Sequence, residues 1–366
     1  MSKKVENEKY LLNNRISLIL LSGILISLLY GACTPSTPTT PSGYGELRVM
    51  THDSFSISEG VLEAFVSANN AKVYFVKSGD TGTALNKAIL SRNNPLADVF
   101  YGVDNTFLSR ALDEGIFDPY TSPLLSNIPD DLKLDPQNRV LPVDYGDVCL
   151  NYDVTYFQEH NLKAPRSIED LLKPEYKSLL VVENPATSSP GLSFLLVTIG
   201  NFGEEGYLDF WRGLVENDVS VVNDWETAYY TEFSGSSGKG PRPIVVSYNS
   251  SPAFEVIYAE KPVEESPTAA VTDDNTCFRQ IEFVGILKGA KNKELAKKWI
   301  DFMLSTTFQE DMPLQMFVFP VNQDAILSDV FMKYLVVPNI TVFVDPEAIA
   351  NNREKWLKDW TEVVLR

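Results

Sequence analysis

Beyond residue 45 the chain alternates short apolar runs with amphipathic ones. Residues 47–51 (Leu-Arg-Val-Met-Thr) read as a strand. A polar loop at 52–58 leads into a helix over 59–69, with Ser58 as its N-cap. Residues 72–76 form the next strand. After a turn at 78–82, Ala84, Leu85, Ala88 and Ile89 mark one face of a helix over 83–92. A third strand at 97–101 precedes a helix that stops near Gly115. This βαβαβα order predicts a largely parallel sheet covered on both faces, in which ligands bind past the carboxyl ends of the strands. The loops 52–58, 78–82 and 102–105 are then expected to line a site.

Further on, strand-like runs at 148–152, 179–183, 219–222, 244–248 and 283–287 alternate with helical stretches, and a second lobe is expected to begin after Tyr145. Residues 292–304 predict an amphipathic helix. The carboxyl end, 346–366, predicts another, with Ile349, Trp356, Leu357 and Trp360 as its apolar positions.

The first 32 residues follow a different pattern. Four basic residues (Lys3, Lys4, Lys9, Arg15) against Glu6 and Glu8 precede an apolar run over 16–30. That run suits the core of a signal peptide and is short for a bilayer span of ~20 residues. Leu29-Tyr30-Gly31-Ala32-Cys33 resembles a bacterial lipobox, with Tyr30 where an aliphatic residue is usual. Cleavage before Cys33 would leave that cysteine to carry a lipid; an uncleaved anchor would give the same topology. The Pro, Thr and Ser of residues 33–45 cannot build a packed core and read as a tether. No later run is long and apolar enough to span a membrane.

Composition narrows the function classes. With 44% apolar residues the chain can bury a sizeable core, which excludes global disorder. Lys plus Arg number 31 against 49 Asp plus Glu, a net charge of −18. That balance argues against a nucleic-acid partner and suits a cationic ligand. Cys149 and Cys277 are the cysteines of the exported body, and an exported pair is a candidate disulfide that the sequence leaves open.

Enzyme signatures are missing. The two histidines, His52 and His160, make no His-Glu-x-x-His pattern, no cysteines have zinc spacing, and there is no Gly-x-Ser-x-Gly elbow. The glycine-rich stretch 235–240 lacks phosphate-loop spacing and reads as a flexible loop. Neither a metal nor a cofactor is expected. Other segments combine hydroxyls, aromatics and carboxylates. Residues 184–191 (Asn-Pro-Ala-Thr-Ser-Ser-Pro-Gly) place hydroxyls at a helix start, where free N–H groups receive polar or anionic atoms; plain capping is the simpler reading. Trp225 lies between Asp224 and Glu226, as suits a flat cation or, equally, a core tryptophan. Residues 247–254 (Ser-Tyr-Asn-Ser-Ser-Pro-Ala-Phe) end a strand with a tyrosine and polar side chains. Together these point to a cleft for a flat, polar solute.

These segments, with 51–55, 97–105, 143–146, 225–229, 319–321 and the helix at 291–303, run in one order over 46–366. In that order the chain resembles the bacterial ABC-transporter solute-binding proteins, in particular their thiamine-binding members. The resemblance implies an α/β, two-lobed periplasmic-binding-protein fold of type II, hinged by crossing strands near 144–147 and 282–285. It implies lobe 1 over 46–144 and 285–320, and lobe 2 over 145–284 and 321–366. It implies an extracytoplasmic, membrane-anchored monomer that binds thiamine or its phosphate esters and hands them unaltered to ABC permease subunits.

The implied ligand positions fall on Asp80 and Thr81, Ser188 and Ser189, Trp225, and Tyr248, Asn249, Ser250 and Ser251. The hydroxyls of Ser188, Ser189 and 248–251 would meet the hydroxyethyl or phosphate end. Trp225 and Tyr248 would pack on the rings. Asp80, with Asp53 or Asp224, would balance the thiazolium charge. Where the family has aromatic residues this chain has His52, Phe254 and Phe317. An imidazole beside a cation is expected to be neutral. A different class of reading is a thiaminase-I-like enzyme using Cys149 as nucleophile, with Asp144 or Asp147 nearby. Binders of polyamine, ferric iron or phosphonate share the scaffold, and ferric iron calls for adjacent tyrosines and carboxylates around one point.

Overall fold

Burial follows the apolar runs. The computed structural model describes residues 44–236 and 239–366. The signal segment 1–32, Cys33 and the tether as far as residue 43 lie outside the described residues. Strand β1 (Gly45–Thr51) buries Leu47 and Val49 and pairs in parallel with β2 (Ala71–Lys77). Strand β3 (Val99–Asp104), buried at every position, flanks β1 on its other side. The helix between β1 and β2 spans Glu59–Asn69. Ser58 makes no side-chain cap; its N–H donates to Asp311 instead. The next helix starts two residues earlier than its apolar face suggests, at Thr81, because the Asp80 carboxylate accepts the Thr81 N–H and caps it.

The remaining strands are β4 (Phe117–Asp118), β5 (Leu141–Asp153), β6 (Leu180–Glu183), β7 (Ser220–Val222), β8 (Ile244–Tyr248), β9 (Thr268–Val271), β10 (Phe278–Leu287) and β11 (Phe319–Pro320). One sheet runs β2-β1-β3-β10-β5-β8-β6-β7, with β4 on β10 and with β9 and β11 on β5. The expected largely parallel sheet holds only at its two ends, β2-β1-β3 and β8-β6-β7. Its middle is antiparallel, β3 to β10, β10 to β5 and β5 to β8. The chain leaves the first half along β5 and returns along β10, so the two connecting strands run in opposite directions. This is the two-lobed α/β arrangement hinged by crossing strands, and Asp144 of β5 sits opposite Glu282 of β10 on one rung.

Helices close both faces. Lys293–Met303 buries Leu295, Ala296, Trp299, Ile300 and Met303, with Trp299 edge-on to Phe65 at 4.8 Å. Pro346–Val364 buries the four apolar positions expected of it, and Trp360 meets Trp211 edge-on at 5.5 Å. Trp211 belongs to the long helix Ser189–Glu216, which bends at Gly203 where φ is 68°. Cys149, in β5, is joined to Cys277, just before β10, by a disulfide, which answers the question the sequence leaves open.

Candidate functional site

The strand ends and loops surround a cavity of about 370 Å³, within the ~300–1,000 Å³ typical of small-molecule sites. Three separate segments supply an aromatic wall. Trp225 stacks on Tyr229 at 5.0 Å and meets Tyr230 and Tyr248 edge-on. Its indole N–H donates to Ser247 Oγ at 2.9 Å, which fixes the ring. The stack depends on a π-helical turn, Thr227–Glu232, which brings Tyr229 and Tyr230 back beside Trp225. Phe254, from the helix after β8, meets Phe317 edge-on at 4.8 Å, and Tyr258 extends this side. Phe317 has φ 56°, a left-handed conformation rare for an aromatic residue.

The rest of the lining is polar and acidic. Asp80, Glu226 and Glu282 line the cavity, as do His52, Ser54, Ser56, Gln280 and Gln315. No Lys or Arg is among the lining residues described. Asp80 also accepts the Trp225 N–H at 3.2 Å, tying the helix at 81 to the aromatic wall. Burial pushes its carboxyl up, while the neighbouring Ser188 hydroxyl and the backbone N–H groups of Thr81 and Trp225 pull it back. His52 is buried, and desolvation holds its imidazole below the usual range, hence neutral near pH 7. Its ring fits because Gly102, at φ 106°, has no Cβ; one there would lie 2.6 Å from His52 Cδ2.

Behind His52 lies the rung that joins the crossing strands. The Tyr101 hydroxyl sits 2.7 Å from Asp144 Oδ2 and 2.9 Å from Glu282 Oε2. Asp144 and Tyr101 are fully buried; burial first, and then the neighbouring acid, pushes Asp144 well up, and burial pushes Glu282 up to about 8. Tyr248 donates to Gln280 Oε1 at 3.2 Å, and Gln280 Nε2 donates to Glu282 Oε1 at 3.4 Å. Chemically, the site can hold a flat solute between rings, meet positive charge with carboxylates and offer hydroxyls at one end. The sulphur of Cys149 is bonded to Cys277 and is not a free thiol.

Of the positions singled out in the sequence, His52, Asp80, Thr81, Ser189, Trp225, Tyr248, Ser251, Phe254 and Phe317 line this one cavity. Four others stand behind its wall. Ser188 is buried against Asp80. Asp53 accepts the Gly79 N–H and holds the 52–58 loop. Asn249 donates to the Val336 carbonyl. Ser250 donates to the Phe317 carbonyl and so supports the left-handed turn there. The 102–105 loop, expected to line the site, backs it instead: the Gly102 carbonyl accepts the Thr81 hydroxyl at 2.9 Å. Sequence reasoning missed Tyr229, Tyr230, Tyr258, Gln280, Glu282, Gln315 and Met316. Tyr229 and Tyr230 were signalled by their closeness to Trp225, and Gln280 and Glu282 by polar residues alternating along an otherwise apolar strand.

The model of the bacterial extracellular solute-binding protein family matches residues 94–332. A thiamine-binding periplasmic protein of Salmonella typhimurium (strain LT2) is 29% identical over 325 residues, covering 87% of this chain and 94% of the relative. One from Brucella abortus is 29% identical over 327 residues, covering 88% and 92%. A solved structure described as a periplasmic thiamin binding protein superposes with a TM-score of 0.75 at 27% identity, covering 88% of this chain and 97% of the other.

Proposed function

We propose, for a chain that belongs to the bacterial extracellular solute-binding protein family, that it captures thiamine or a thiamine phosphate outside the cytoplasm and passes it unaltered to an ABC permease. The observation that carries this reading is the cavity itself, whose lining combines stacked aromatic rings with Asp80, Glu226 and Glu282 and has no basic side chain among the described residues. Rings and carboxylates together suit a flat organic cation, each cation–π contact being worth about 0.5–2 kcal/mol. The relatives' printed names point to the same vitamin. Ser189 and the helix start behind it supply donors for the hydroxyethyl or phosphate end.

In this reading the lobes comprise 46–144 with 285–320 and 145–284 with 321–366. The rung joining Asp144 to Glu282, and the short β11 beside Tyr145, support boundaries at those positions. The protein works as a monomer tethered through a lipid on Cys33. The Cys149 disulfide speaks against the thiaminase-like alternative, since a covalent mechanism needs a free thiolate. Ferric binding is disfavoured at the adjacent Tyr229 and Tyr230, because burial pushes Tyr229 well up and Tyr230 up to about 12, opposing phenolate ligands.

Titration calorimetry against thiamine, its mono- and diphosphate, spermidine and ferric citrate tests the proposal. Saturable heat is expected with thiamine compounds, with Trp225→Ala weakening it by about 1–3 kcal/mol through loss of the central ring. Heat with spermidine or ferric citrate alone would reject the thiamine assignment. Membrane release of a Cys33→Ser variant tests the anchor.

A further inference from the structure

We infer that Asp144 and Glu282, facing each other across the crossing strands at the back of the cleft, form a proton-exchange site that surrenders a proton when a cationic solute enters. The inference rests on the reading of the solute as a cation.

The geometry comes first. Asp144 Oδ2 and Glu282 Oε2 both lie within hydrogen-bond distance of one Tyr101 hydroxyl. A hydroxyl has one proton, so it can donate to only one of two carboxylates. The other contact needs a second proton, carried by a carboxyl that donates to the tyrosine oxygen or to its neighbour. Asp144 Oδ1 is buried with no hydrogen-bond partner, a position that suits a neutral acid far better than a carboxylate. Two acids held this close titrate as a pair, and one of them keeps its proton well into the neutral range.

Hydrogen bonds from Tyr101 favour the charged forms, but burial and the neighbouring acids outweigh them. From β3 come Tyr101 and the buried Asp104, whose charge raises Glu282. From the helix cap comes Asp80, which also raises it. From the loop after β1 comes His52, with Nε2 3.7 Å from Glu282 Oε2, kept neutral by its burial. From β10 itself, Gln280 donates a long hydrogen bond. From the 315–318 segment Met316 Sδ approaches the Tyr101 hydroxyl, at 3.8 Å. Lys77 reaches His52 electrostatically but bonds the Asp53 carbonyl. Among the described residues no cationic side chain bonds the pair, and the proton neutralises it.

Glu282 lines the cavity, so an entering cation brings the positive charge the pair lacks. The carboxyl then ionises and its proton passes to solvent. The sign follows from mass action: affinity for a cation rises with pH up to the value of about 8 at which the empty pair ionises, by at most tenfold per pH unit for one proton. A neutral solute of the same shape gains nothing from this exchange, so the pair also selects for charge.

Titration of the full chain with thiamine at pH 7, in phosphate and in Tris, tests the exchange, since the two buffers differ in ionisation heat. The expected result is a buffer-dependent heat corresponding to about half to one proton released per thiamine bound. Glu282→Gln is expected to bind with a buffer-independent heat and a flat pH profile. Saturable binding with no buffer dependence overturns the proton linkage and leaves the solute reading standing. Undiminished proton release in Glu282→Gln overturns the assignment to this pair. No isotherm in either buffer overturns the solute reading and this inference with it. Should the variant fail to fold, infrared spectra of the native protein decide: a protonated-carboxyl band in the empty protein must shrink on adding thiamine, and a band that is absent or unchanged overturns the exchange.

Discussion

The Tyr229 hydroxyl donates to Glu255 Oε1 at 2.8 Å, beside the aromatic wall. Burial pushes that carboxyl up to about 7 from an ordinary value of 4.5. The folded form therefore binds more protons than the unfolded one between those values. Its contribution to stability is full below about 4.5 and is lost as pH rises through about 7. Glu255→Gln keeps an acceptor for Tyr229 without the charge, so its melting temperature should exceed that of the native protein at pH 8 and converge with it by pH 5. A gap of the same size at both pH values would show that the carboxyl does not titrate in this window. Single positions were partly legible in the chain: Trp225, Tyr248 and Asp80 stood out because aromatic, hydroxyl and acidic types clustered in loops. Glu282 did not, because one acid within a strand reads as a solvent-facing alternation until a second strand is known to cross it.

At the scale of elements, β5 and β10 carry the most consequence. They run antiparallel through the middle of the sheet, bring Asp144 opposite Glu282, and are stapled at one end by the Cys149–Cys277 disulfide. The bridge spans 128 residues of sequence, a long loop whose closure limits the unfolded chain. Replacing both cysteines with serine should therefore lower unfolding stability by about 2–5 kcal/mol in chemical denaturation while leaving the cavity residues in place. A double variant as stable as the native protein would mean that the β5–β10 ladder suffices without the staple. Helices with strong apolar faces, 293–303 and 346–364, were legible almost to the residue, because burial on one side imposes a 3.6-residue period. The π turn at 227–232 was not, since its extra residue per turn arises from fitting Trp225 onto Tyr229.

For the whole molecule, a solute held between the two halves stabilises the folded state in proportion to the logarithm of its concentration over Kd. Thiamine at a hundred times Kd should add about 2.7 kcal/mol, read as a rise in melting temperature that grows with ligand concentration. A melting temperature indifferent to thiamine at saturating concentration would remove the ligand from the account.

Some features of this protein are local and follow from the chain alone: the amphipathic helices, most strand cores, the acidic balance and the clusters of ring and hydroxyl residues. Each depends on neighbours a few positions away, so the residues declare it without a fold. Other features depend on distance closed by the fold. The mixed direction of the sheet, the pairing of Cys149 with Cys277, the wall shared by Trp225, Tyr229 and Phe317, and the lone hydroxyl of Tyr101 between two acids all join segments tens to hundreds of residues apart. Only the tertiary structure decides these, because the free energy that brings such segments together belongs to the packed core as a whole and leaves no periodic trace in any one of them.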